Sequence, residues 1–149
     1  MNQLQNEVKK IMLPCQLKNN GDFAGNTYLD TFGAGEGRVE IHTGTIDIAI
    51  GSVAETEPLK LTECDTTDGE YTDIDGAELA AAIASTKSNK IYAIDLPLAK
   101  AHKRFVQVAT PHAGSGSAGA NMTIIGILTK LDNGPADADA RGLEEHIIP

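Results

Sequence analysis

Between Arg38 and Val53 apolar and polar side chains alternate with a period of two. Val39 and Ile41 sit among charged neighbours, and Ile46, Ile48 and Ile50 alternate with Asp47, Ala49 and Gly51. A strand turns successive side chains to opposite faces, whereas a helix repeats every 3.6 residues, so this stretch commits the chain to a sheet with one buried face. Thr43-Gly44-Thr45 between the two halves reads as a bulge or tight bend. Leu59 to Ile74, LKLTECDTTDGEYTDI, supplies the next strands. Its two strand-compatible runs meet at Asp65-Thr66-Thr67-Asp68-Gly69, where Asp side chains can bond nearby backbone and Gly permits positive φ, which predicts a β-hairpin.

Further strands are predicted at Lys90 to Leu96 (KIYAIDL), Lys103 to Thr110 (KRFVQVAT) and Met122 to Leu131 (MTIIGILTKL). The last is apolar on both faces, as expected of a central strand in a two-layer core. Phe23 to Phe32 reads as one short strand with irregular chain, Gly33 to Gly37 as a flexible turn, Ala54 to Pro58 as an acidic connector, and His112 to Asn121 as a flexible connector of small residues. Ala77 to Ala84 is rich in Ala, Glu and Leu and predicts a helix of about two turns, packed by Leu79 and Ile83. Near the N-terminus Leu4, Val8, Ile11 and Met12 approach helical spacing before Pro14, which fits either a short helix or an extended arm. From Asp132 apolar content falls, and the stretch ends in Ile147 and Ile148, either folding back on its own domain or docking on a neighbouring subunit. The expected fold is therefore mainly β: a single-domain antiparallel β-sandwich or β-barrel with one short helix and extended terminal arms. Its parts are an N-terminal arm (1–20), a β domain (21–131) and a C-terminal linker and arm (132–149). A domain of 149 residues buries roughly 70% of the surface its unfolded chain exposes, enough for one core.

Composition narrows the function. Twelve Lys and Arg against 21 Asp and Glu give a net charge of −9, which argues against nucleic acid, and the absence of Trp leaves few stacking platforms for bases or sugars. Cys15 and Cys64 fall in no metal or redox spacing and read as reduced thiols. No stretch has the apolar core of a secretory signal or the ~20 apolar residues of a membrane span, so synthesis in the cytoplasm without export, and no membrane partner, are expected. Asp65, Asp68, Asp73 and Asp75 cluster at the hairpin without EF-hand spacing. His42, His102, His112 and His146 form no HxH or HExxH pattern, and no Ser or Cys lies in a nucleophile elbow. The expectation is a non-enzyme with no catalytic residue, metal or cofactor. Lys100, His102, Lys103 and Arg104 make the one basic cluster, a solvated turn or a contact with an acidic partner.

The order DTFGA (Asp30 to Ala34), VEIHTGTI (Val39 to Ile46), LTECDTTDGEYTDI (Leu61 to Ile74) and KRFVQVATP (Lys103 to Pro111), followed by a final apolar strand, resembles small structural proteins of tailed bacteriophages. That group tends to show a glycine-containing segment before a hydrophobic strand, a "LxESDDGxxWTDV"-like hairpin and a "KRYVRV"-like strand. Here Tyr71 takes the aromatic hairpin position, Phe105 replaces Tyr and Gln107 replaces Arg. The helix at 77–84 and the stretch from Asp132 depart from the pattern. The resemblance implies a capsid decoration (cement) protein, a homotrimer on the outer capsid surface that bridges major capsid subunits. The contact residues expected are Leu4, Val8, Ile11 and Met12 in the N-terminal arm, Ile147 and Ile148 in the C-terminal arm, and Lys103 and Arg104 as charge contacts. The alternatives are a head-completion or tail component and a small carbohydrate- or calcium-binding β module sited at the Asp-rich hairpin.

Overall fold

The computed structural model describes residues 6–132 and 142–144. In chain order the strands are β1 (Glu7–Lys18), β2 (Gly21–Asp22), β3 (Leu29–Asp30), β4 (Ala34–Ile46), β5 (Ile50–Ser52), β6 (Lys60–Cys64), β7 (Thr72–Glu78), β8 (Ile91–Leu96), β9 (Phe105–Val108), β10 (Pro111–Ala113) and β11 (Ala120–Leu131). They form a four-stranded sheet in the order β1-β11-β4-β8, a three-stranded sheet β2-β10-β5 and a second four-stranded sheet β3-β9-β6-β7. Every ladder is antiparallel. The sheets share one aliphatic core in which Val39, Ile41, Leu61, Val106, Val108 and Ile124 are fully buried. The fold is thus mainly β, as expected.

The apolar run of β11 earns its central place. Ala120, Met122, Ile124 and Leu128 face the core, while Ile125 and Ile127 lie half-buried on the other face between β1 and β4. The alternating stretch from Arg38 breaks into β4 and β5 at Asp47 to Ala49 because the Asp47 carboxylate accepts hydrogen bonds from the Ala118 and Gly119 N–H groups at 2.8 and 2.7 Å. Those bonds hold its carboxyl below the ordinary value. They also correct the reading of 112–121 as a flexible connector: Pro111–Ala113 is a strand, and Asn19 pins Gly116 through both its amide and its carbonyl oxygen. The glycines after Gly33 likewise enter β4 instead of forming a flexible turn.

Two further expectations are overturned. Among the described residues there is no helix, and the segment predicted as one, 77–84, ends β7, bends at Ala80 and Ala81 and bridges to β5 at Ile83. Ala77 and Glu78 close β7, the Leu79 N–H donates to Leu59, and Ile83 exchanges hydrogen bonds with Ile50. A two-turn helix is marginal by itself, and burying Ile83 to 2% exposure against β5 outweighs alanine's propensity. The N-terminal stretch is neither a helix nor, over 7–18, a free arm. It is the edge strand β1, paired along β11. Register shifts after Ile11 and Leu13 let Met12 and Leu13 both bury, and Pro14 sits in the second shift, where its missing N–H breaks no ladder bond. Near the other end Gly142, with φ of 73°, packs against the Lys9 carbonyl, where a Cβ would not fit.

Candidate interaction surface

The segments that carry the resemblance are far apart in sequence and adjacent in space. DTFGA contributes Asp30 to β3, KRFVQVATP contains β9, and the hairpin supplies β6 and the first residues of β7 (72–74), so three of the four segments meet in the β3-β9-β6-β7 sheet, while VEIHTGTI lies in β4 of the other four-stranded sheet. Register sets Asp30 opposite Phe105 and Glu63 opposite Val106. Polar side chains tie the segments together. Glu63 accepts from the Lys103 N–H at 3.0 Å, the Lys103 ammonium donates to the Thr72 hydroxyl at 3.0 Å, and the buried Thr31 hydroxyl donates to the Arg104 carbonyl at 2.6 Å.

At one end of this sheet stands a chain of contacts between cations and aromatic rings. Lys10 lies 4.4 Å from the centre of Tyr28, Tyr28 meets Phe105 edge-on at 5.1 Å, and the Arg104 guanidinium lies 5.0 Å from Phe105 and 4.9 Å from Phe32. Arg104 is fixed by a two-pronged ion pair with Asp30, both contacts 2.8 Å. The same carboxylate accepts from the Phe32 N–H at 3.1 Å. The Arg104 bonds hold the Asp30 carboxyl below its ordinary value against the opposing effect of partial burial, and Asp30 raises Arg104 in turn. Burial lowers the Lys10 ammonium. The turn is therefore braced from behind, yet it presents Phe32 to solvent at 77% exposure, the highest of the large apolar side chains described. A rigid aromatic beside a fixed arginine is the composition of an interface hot spot. A shallow hollow of about 400 Å³ adjoins it, lined by Phe32, Gly35, Asp65, His102 and Arg104 among others. A second cleft, of about 560 Å³, opens between β7 and β8, which are edge strands among the described residues, with Ile74, Leu96, Leu98 and Val106 in its lining and Asp73, Asp75 and His102 among its polar residues.

No protein-family model matches the chain, and no curated protein matches it in sequence. Among solved structures it is similar to the crystal structure of the SPBc2 prophage-derived protein YomS, with a TM-score of 0.47 and 14% identity over 84% of this chain and 94% of that one. An overlap of that size carries no functional assignment, so the reading rests on the residues themselves.

The expected contact residues separate. Lys103 and Arg104 lie at the braced end of the sheet, engaged with Glu63, Thr72 and Asp30. Ile11 is 63% exposed on β1, Val8 is half-buried against the core, and Met12 is fully buried. Met12 is thereby removed as a contact: the register shift beside it turns it inward, where it packs against the centre of β11. Leu4, Ile147 and Ile148 lie outside the described residues. The hairpin carboxylates do not converge, since Asp73 pairs with Lys60 at 2.6 Å and, among the described residues, no group of three His, Cys, Asp or Glu side chains is disposed to hold a metal. Phe32, Asp30 and Tyr28 were not singled out in sequence. The available signal was DTFGA itself, an aromatic flanked by Asp and Gly, but only the β3-β9 pairing supplies the arginine that gives it meaning.

Proposed function

We propose that this protein is a structural component of a bacteriophage virion, a decoration protein that binds the outer surface of the assembled capsid and bridges major capsid subunits. It acts as a homotrimer, by contact alone, without catalysis or cofactor. The observation that carries this reading is that three of the four resembling segments meet in one sheet, whose end offers Phe32 and Arg104 as a preformed anchor. Preorganisation favours binding because the ordering cost is met when the domain folds. A ligand that binds only the closed shell stabilises it by mass action, and repeated copies add their effects.

The test is the number of copies per particle in purified virions of the phage encoding the chain, measured by quantitative mass spectrometry. Hundreds of copies are expected; a dozen or fewer would replace decoration with head completion or a tail role. Addition of the purified protein to capsids stripped of it, followed by co-sedimentation, tests the anchor. Phe32→Ser should weaken binding by about 10-fold or more, as truncation of a hot-spot side chain does. Undiminished binding would remove Phe32 from the contact.

A further inference from the structure

The β1-β11-β4-β8 sheet has one face on the core, and its other face carries an apolar strip. On that outer face Ile11 of β1 stands directly opposite Ile125 of β11, and Ile127 lies one pleat further along, opposite Lys9. Ile91 continues the apolar character at the β8 edge with 66% exposure. Around this strip the charges are nearly balanced within the face. Arg38 pairs with Asp95 at 2.6 Å, His42 with Glu40 at 3.0 Å, Lys9 with Glu7 and Lys130 with Glu36. Three cations thus meet four carboxylates, so nearly all of the chain's net charge of −9 is carried elsewhere.

We propose that this outer face is the surface through which copies of this chain meet one another. Two copies that each carry −9 repel over most of their surface, and the apposition that escapes this is the one that joins the near-neutral faces. A strongly basic partner would instead be drawn to the acidic remainder, so a balanced face selects its own kind. The face also holds both halves of a fit. Ile11 projects from β1, and beside it lies a depression of about 380 Å³ lined by Glu7, Lys9, Arg38, Glu40, Asp95 and Ile127 among others. Ile11 of one copy lies against Ile127 in the depression of the next, its burial supplies the apolar drive, and the surrounding pairs exchange partners at the rim with one carboxylate per face in excess. The inference rests on the homotrimer of the proposed function and names the face through which its copies meet; Phe32 and Arg104 take no part in it.

Sedimentation equilibrium on the full chain decides it. The wild type at about 100 µM should show a multiple of 15.7 kDa. Ile11→Asp, an exposed site whose change leaves the core intact, should weaken association by about 10-fold or more at an unchanged circular dichroism spectrum. Ile127→Glu should do the same, and Phe32→Ser should leave the assembled mass unchanged. An Ile11→Asp variant that keeps the assembled mass would overturn this face while leaving the homotrimer standing, whereas a wild type of 15.7 kDa at that concentration would overturn both.

Discussion

Replacing Gly126 by alanine probes how the two four-stranded sheets pack, because this residue lies in the middle of β11 where β3 and β1 close over it. A Cβ placed there meets Leu29 Cδ1 at 2.8 Å and Met12 Sδ at 2.9 Å. Both neighbours are side chains, but Leu29 is 1% exposed and Met12 fully buried, so neither can swing into solvent. Overpacking a closed core costs about 1–3 kcal/mol, and alanine returns about 0.5–1 kcal/mol by restricting the unfolded chain. The expected net loss is about 1–2 kcal/mol, read as a lower urea midpoint at unchanged slope. Leu29→Ala alone should cost about 2–5 kcal/mol through lost burial and a cavity. In that background the same Gly126→Ala change should become neutral or mildly stabilising, since the new methyl enters vacated space. The two substitutions therefore couple by at least about 1 kcal/mol in the favourable sense. Equal costs of Gly126→Ala in both backgrounds would refute the packing of Leu29 over β11.

Acid unfolding should report the braced turn and the Asp47 loop anchor. Both carboxyls have folded values below their unfolded ones, so their contributions are complete above the unfolded value of about 4 and are lost as pH falls through the folded value. Asp30→Asn and Asp47→Asn should each flatten the fall in stability below about pH 4, seen in urea titrations at several pH values; an unchanged pH profile in either variant would remove that carboxylate from the account. Val53 is a β-branched residue at a φ of 66°, exposed at 65%, and its N–H donates to Thr110 at 2.8 Å. Val53→Gly should raise the thermal midpoint by relieving about 1 kcal/mol of backbone strain, and a fall would show that this conformation is not strained.

Period-two alternation and turn chemistry determined most of the strands from sequence alone. Val39 and Ile41, the Asp65 to Gly69 turn and the apolar run of β11 are local signals, legible because a strand's two faces and a hairpin's turn each depend on a few neighbouring residues. The helix expected at 77–84 failed because propensity is weak beside burial: Ile83 finds Ile50, 33 positions away, and follows the sheet. β1 was hidden for a related reason. Its bulges put Met12 and Leu13 side by side in the core, breaking the alternation that would have revealed it. The candidate surfaces depended wholly on tertiary structure. Sequence shows Asp30, Phe32, Phe105 and Arg104 as scattered residues in two resembling segments, and the β3-β9 register makes of them one braced anchor. Likewise Ile11, Ile125 and Ile127 acquire a common face only when β1 and β11 pair, since which residues share a surface is fixed by long-range register, and register is set by the core as a whole.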